Sequence, residues 1–287
     1  MIPAAFEYHR PASVSEALQL LQRLSDAKLL AGGHSLLPMM KLRLTSPAHL
    51  IDLGRIDAMR YIQQDGQTLA IGALTTHWGI ESSKLALSAA PALAEAASRI
   101  GDVQVRNVGT IGGSLAHADP AADYPAAMLA LEGQVVAESP RGRRTIASGE
   151  FFTGIFTTAL APDEVLVEIR IPATRAPTGQ AYLKFPHPAS GFAVVGVAAV
   201  ITRDGAGRCT RARIGITGVG PAAYRPIAVE NQLTGAALDE KSVAAAAAHA
   251  ADGVDVNEDL FASAEYRAHL ARVFTKRAVL AAAQRAG

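Results

Sequence analysis

The 287-residue sequence predicts an α+β fold: a small β-α-β unit, a larger α+β unit, and a C-terminal domain of antiparallel sheet packed with helices. Two observations predict it. Short apolar strands mix with amphipathic helices and hairpins as far as Pro172, and three long strand-like segments are then followed by three helical ones. Strands grouped ahead of helices fit an α+β unit. The expected division is 1–177, in two parts of about 1–56 and 57–177, followed by 178–287.

In chain order, Ser13-Val14-Ser15-Glu16 is a capping box, and Ala17, Leu18, Leu20, Leu21 and Leu24 continue one apolar helix face. Ala27 to Leu30 and His49 to Leu53 are short strands that complete the first unit. A hairpin follows, Tyr61-Ile62 with Thr68 to Gly72, turning at Asp65-Gly66. Thr76 to Ser82 opens a short helix, and Pro91 to Ile100 is a helix started by proline and ended by Gly101. Another runs from Asp123 to Leu131 and stops at Gly133. Val135 to Ala137 and Arg144 to Ala147 pair as a hairpin, with Arg141-Gly142-Arg143-Arg144 as its solvated tip. Glu164 to Ile171 is a strand closed by Pro172, and Ala173 to Gly179 is a linker. Gln180 to Phe185, Phe192 to Thr202 and Cys209 to Gly218 are antiparallel strands; Pro226 to Leu233, Lys241 to Ala251 and Ala264 to Arg285 are helices.

Hydrophobic residues make up 49% and charged residues 18%, an ordinary globular interior. A net charge of +1 gives no general attraction to nucleic acid or an anionic membrane. The first ten residues lack a basic stretch followed by an apolar one, and no apolar window is long enough to span a bilayer, so a cytoplasmic protein is expected. Cys209 is the single cysteine; it excludes an internal disulfide and an all-cysteine iron–sulfur site made by this chain alone.

Two glycine pairs carry the chemistry. Leu30-Ala31-Gly32-Gly33-His34-Ser35-Leu36-Leu37 continues a strand, and Gly109-Thr110-Ile111-Gly112-Gly113-Ser114 lies about 80 residues on. Successive glycines admit positive φ and remove Cβ atoms, so backbone N–H groups can turn inward around an anion. Two such loops suggest a grip on the two phosphates of one dinucleotide; the plainer alternative is two unrelated turns. The spacing is neither that of a Rossmann turn nor that of a P-loop. His34 donates to a phosphate or is a surface turn residue, and Ser35 bonds a phosphate or caps a helix begun by Leu36. Asp123 accepts hydrogen bonds from a sugar-like chain or caps its helix, whereas Asp119 is a turn residue. Lys184 ends a strand where a cation would neutralise a phosphate, Phe192 covers a flat ring or enters the core, and His187 is a spacer between two prolines. No nucleophilic constellation stands out, so no catalytic side chain is assigned, and no metal ligand either.

Together, residues 31–41 (AGGHSLLPMMK), 106–114 (RNVGTIGGS) and 118–125 (ADPAADYP) resemble the FAD-binding medium subunit of the xanthine dehydrogenase/aerobic carbon monoxide dehydrogenase family of molybdenum hydroxylases. Ile2-Pro3, Phe6-Glu7-Tyr8, Pro11 and residues 164–172 fit the same family, so the likeness spans nearly the whole chain. It implies FAD held by a two-part N-terminal domain and a C-terminal α+β domain. Residues 31–35 and 110–114 would bind the pyrophosphate and Asp123 the sugar-like portion, with Leu166 and Lys184 at flavin contacts. It also implies a small subunit with two [2Fe–2S] clusters, a large molybdenum–pterin subunit, a dimer of heterotrimers, and electron transfer through FAD to a quinone, NAD or oxygen. Departures are Ser114, where many relatives carry asparagine, and Gly191-Phe192, where carbon monoxide dehydrogenases show an acidic residue and a tyrosine. They leave an aldehyde or N-heterocycle substrate open beside carbon monoxide. The rival readings are a free-standing FAD oxidoreductase of similar fold and a non-catalytic assembly module.

Overall fold

Three main sheets carry the chain in the computed structural model, which describes residues 2–174 and 177–286. The first is built from β1 (Glu7–His9), α1 (Val14–Arg23), β2 (Ala27–Leu30), α2 (Leu36–Lys41) and β3 (His49–Asp52). Its strands run parallel in the order β1-β3-β2. Ser13 Oγ accepts the Glu16 amide at 3.1 Å, while the Glu16 carboxylate takes the amide of Ala12 at 2.8 Å rather than that of Ser13. The strand β1 is an addition to the expected unit. Three mostly exposed residues carry no periodic signal, and pairing with β3 holds them.

The second sheet begins with the hairpin β4 (Ile62–Asp65) and β5 (Thr68–Gly72). The chain then leaves for six helices: α3 (His77–Glu81), α4 (Lys84–Ala89), α5 (Pro91–Ser98), α6 (Val103–Val108), α7 (Ile111–His117) and α8 (Tyr124–Ala130). It returns as β6 (Gln134–Ser139) and β7 (Gly142–Ala147), passes through α9 (Ser148–Phe151) and the small hairpin β8 (Phe152–Gly154) and β9 (Thr157–Thr158), and ends in β10 (Val165–Pro172). The order β4-β5-β10-β6-β7 puts β10 at the centre, antiparallel to both neighbours, where its Val, Leu and Ile side chains are buried. The sequence reading missed α4, α6 and α7. In α7 the glycine pair is a turn signal, yet Thr110 caps the helix and the buried Ile111 and Leu115 hold it.

The third unit is the meander β11 (Thr178–Pro186), β12 (Ala193–Arg203) and β13 (Cys209–Thr217), followed by α10 (Ile227–Leu233), α11 (Glu240–Ala247) and α12 (Ala264–Arg285). Thr178 and Gly179, expected in the linker, already belong to β11, and Arg175 and Ala176 of that stretch lie outside the described residues. Alternation along β11 sorts its side chains. Ala181, Leu183 and Phe185 join the core beneath α12, whereas Gln180, Tyr182 and Lys184 face α5 and α8 of the preceding unit. There the Tyr182 amide donates to the Glu95 carboxylate at 2.7 Å, and the Ala92 amide donates to Gln180 Oε1 at 3.2 Å.

Candidate functional site

From the end of β2 the chain turns through Ala31, Gly32 and Gly33 into α2, with Gly33 at φ +76°, the left-handed region that favours glycine. Helix α6 delivers the second loop. Asp102 caps it, and Arg106 fixes it by a 2.9 Å ion pair with Glu81 of α3 and by hydrogen bonds to the carbonyls of Ile100 and Gly101. The two loops touch. A Cβ on Gly32 would lie 2.7 Å from the Gly109 Cα and against the Val108 carbonyl, and one on Gly113 would lie 3.5 Å from the Ala31 Cβ. Bends far apart in sequence form one backbone wall.

Their amides are used differently. Those of Gly33, His34, Ser35 and Leu36 donate to no acceptor among the described residues, and the Ser35 side chain makes no cap bond. In the second loop Gly109 donates to Val105 O, Ile111 to Thr75 O, Gly112 to Ala73 O and Ser114 to Thr110 O, at 2.7–3.1 Å. The Gly113 amide goes to Thr110 Oγ1 at 3.2 Å. The expectation of inward amides from both bends is therefore corrected: the second offers the Thr110 amide and the Ser114 hydroxyl. Gly112 also has a different reason to be glycine, since a Cβ there would lie 2.6 Å from that of Ala73. With N–H and O–H donors and no carboxylate in residues 31–37 or 109–114, the wall fits the pyrophosphate of a dinucleotide.

A second feature adjoins it through α6. Gly101, just ahead of that helix, packs on Val105, and a Cβ on Gly191 would stand 3.6 Å from the Gly101 Cα. These two glycines, with Ser98, Arg99, Lys184 and Pro186, line a cavity of about 260 Å³ between the second and third units. Lys184 Nζ donates to Asp123 Oδ2 at 2.8 Å and to the Arg99 carbonyl at 2.9 Å. The two side chains are only 2% and 4% exposed. The Tyr182 hydroxyl donates to the other Asp123 oxygen. Burial pushes the Asp123 carboxyl up to about 6, against the downward pull of Lys184 and Tyr182, so it is ionised at neutral pH. Nearby, His77 bonds the Tyr124 hydroxyl at 3.0 Å, and burial, with the charges of His34 and Arg106, lowers its pKa to about 4.

The site residues expected from sequence thus separate. Residues 30–37 and 109–114 meet at the wall, with Leu30 and Leu37 packed about Gly33 and His34 exposed. The Ile111 side chain is in the core. Leu166 is buried in β10, next to Val167, whose carbonyl accepts the Ala73 amide beneath Gly112. Asp123 makes no side-chain cap bond to α8; one of its oxygens accepts from Lys184, its counter-ion, and the other from the Tyr182 hydroxyl. Asp119 serves its turn, accepting the Ala121 amide at 2.8 Å. Phe192 is 44% exposed and outside both cores. His187 is more than a spacer: its amide donates to Phe192 O and its ring accepts the amides of Ala189 and Ser190, which folds the loop carrying Phe192. Sequence reasoning missed Tyr182, His77 and Arg99. Only Tyr182 left a signal, two residues from Lys184 and so on the same strand face.

Residues 4–174 match the family model described as FAD binding domain in molybdopterin dehydrogenase, and residues 180–282 match CO dehydrogenase flavoprotein C-terminal domain. The chain is 47% identical over 283 residues, 98% of each protein, to the carbon monoxide dehydrogenase medium chain of Hydrogenophaga pseudoflava. It is 40% identical to the 6-hydroxypseudooxynicotine dehydrogenase complex subunit alpha of Paenarthrobacter nicotinovorans, over 100% of this chain and 97% of that one. Among solved structures, quinoline 2-oxidoreductase from Pseudomonas putida 86 matches with a TM-score of 0.94 at 34% identity, over 99% of each chain. No helix among the described residues is long and apolar enough to cross a membrane.

Proposed function

Because the chain belongs to the family of FAD binding domains in molybdopterin dehydrogenases, we propose that it is the FAD-bearing medium subunit through which electrons leave a molybdenum hydroxylase complex. When bound, FAD supplies redox exchange between [2Fe–2S] clusters of a small partner subunit and an external acceptor, a quinone, NAD or oxygen. This chain's residues bind and orient it. The amides of Gly33 to Leu36 and the Ser35 hydroxyl take the pyrophosphate, and the Thr110 amide and Ser114 hydroxyl complete the grip. Lys184, held by Asp123, keeps a positive charge at the rim of the cavity, and Phe192 covers the ring. Residues 1–177, in parts of about 1–56 and 57–177, form the FAD-binding domain, and residues 178–287 form the C-terminal domain that closes on it.

Substrate is chosen in a large molybdenum–pterin subunit. The relatives named above, which are called after carbon monoxide, 6-hydroxypseudooxynicotine and quinoline, share this chain's fold or sequence, in keeping with that division of labour. A single cysteine places the iron–sulfur clusters in another chain. The assembly is a cytoplasmic dimer of heterotrimers.

The observation that carries this reading is the contact of Gly32 with Gly109, which sets four unengaged amides on one wall. The test is to purify the full chain alone and with the products of its neighbouring reading frames. One FAD per chain should be released on denaturation, and substrate should bleach the flavin band only when the partners are present. A chain without FAD overturns the reading, and bleaching by substrate in the isolated chain assigns a free-standing oxidoreductase instead.

A further inference from the structure

One cluster of side chains lies apart from the dinucleotide wall. On the parallel sheet Glu7 of β1 stands directly opposite His49 of β3, and His9, two residues further along β1, projects from the same face. Three ligating atoms converge there. His9 Nε2 and His49 Nδ1 are 3.3 Å apart, Glu7 Oε2 is 3.4 Å from His49 Nδ1, and it is 3.9 Å from His9 Nε2. The imidazoles are tilted by 44° with centroids 5.4 Å apart, so they meet at their nitrogens instead of stacking.

Hydrogen bonding alone serves this triangle poorly. If His49 Nδ1 accepts from His9, its lone pair also faces the Glu7 carboxylate. If it donates, one hydrogen is shared between two acceptors, both at long distance. A cation at the centre engages all three lone pairs. Zinc bonds of about 2.0–2.2 Å to nitrogen and oxygen, at tetrahedral angles, put ligand atoms about 3.3–3.6 Å apart. Two edges of the triangle already have that length. The third closes by a turn of the Glu7 side chain, which is 73% exposed and free to move.

We propose that Glu7, His9 and His49 form a zinc-type divalent metal site, with its fourth position open to water, that clips the edge strand β1 onto β3. Two imidazoles and a carboxylate suit zinc better than magnesium or calcium, which favour all-oxygen sets. The histidines are half-buried at 24% and 18% exposure, so the sheet fixes them before metal arrives, and the exposed carboxylate completes the site. A clip has a purpose here, because β1 is three residues long, mostly exposed, and joined to the sheet on one side only. The site is distinct from the FAD wall: His49 is level with Ala27 at the start of β2, whereas the first glycine loop leaves the far end of that strand after Leu30.

The test titrates the FAD-loaded full chain and its Glu7→Gln, His9→Gln and His49→Gln variants with ZnCl₂ by calorimetry and with CoCl₂ by visible absorption. The wild type should take up one Zn²⁺ saturably and give the intense d–d bands of tetrahedral Co²⁺. Its unfolding midpoint should rise by about 5 °C at a hundredfold excess over Kd. Each variant should bind at least tenfold more weakly with its FAD content unchanged. Glu7→Gln, at an exposed position, keeps the test valid if a histidine variant does not fold. No saturable binding, or the same affinity and stoichiometry in wild type and Glu7→Gln, overturns the site; loss of FAD from the wild type is a failure of the functional reading alone.

Discussion

Lys184→Met keeps the length of the side chain and deletes its charge, which leaves Asp123 as a buried carboxylate hydrogen-bonded by Tyr182 and supported otherwise by the charge of Arg99. At 2.8 Å the attraction between the two charges is about 6 kcal/mol for an effective dielectric of about 20, most of it offset by desolvation. Removal of one partner is costlier than the net worth of the pair, because side chains only 2% and 4% exposed admit no water to replace it. The expected loss is about 3–5 kcal/mol at pH 7, measured by equilibrium urea unfolding of the FAD-loaded chain. Adding Asp123→Asn should recover at least half of it. Acid should narrow the deficit as well. The folded-state pKa of Asp123, about 6, lies above its usual 3.8, so the folded form binds more protons and stability contributed by this group falls as pH rises from about 4 through about 6. Without Lys184, which pulls that pKa down, proton uptake by the folded form begins at higher pH, and the variant gains on the wild type between pH 7 and 5. A loss below about 1 kcal/mol, the range of a solvated surface pair, or a double variant no better than Lys184→Met, would refute the view that Asp123 holds Lys184 at the cavity rim.

Three further outcomes are expected. Gly32→Val should push the two loops apart, lower stability by about 1–3 kcal/mol and leave the purified chain largely without FAD; a normal FAD-to-protein ratio would contradict the backbone contact at Gly109. His77, with a pKa lowered from 6.5 to about 4, stays neutral in the fold while the unfolded chain takes the proton, so about 3 kcal/mol of stability should be lost as pH falls from 6.5 to 4. His77→Gln should abolish that slope, and equal slopes in both proteins would count against its burial. Cys209 is 1% exposed with its thiol pKa raised by burial, so a disulfide reagent should find no reactive thiol in the native chain and one after denaturation.

Much of the architecture was legible from local pattern. Ala27–Leu30, Thr68–Gly72 and Ala264–Arg285 have the bounds their residues suggest, because alternation, turn residues and helix periodicity act over a few positions. The elements that escaped depend on distant partners. β1 exists by pairing with β3, and α7 forms through a glycine pair because Thr110 caps it and the strand exit at Ala73 and Thr75 receives its first amides. The His9–His49–Glu7 cluster was invisible for the same reason, with 40 residues separating its histidines.

By itself the sequence determined the residue types of the candidate site, the two glycine pairs, their hydroxyls and Lys184, and showed a single cysteine. Only the tertiary structure decided which backbone amides stay free, where the two bends touch, and that Asp123 is paired with Lys184 and Tyr182. The physical reason is that hydrogen-bond partners are allotted partly by tertiary packing: Val105 and Thr110 accept amides three or four residues ahead in the chain, but Ala73 and Thr75, which claim those of Gly112 and Ile111, lie more than 30 residues away at the exit of β5 and come into place only when the chain has folded.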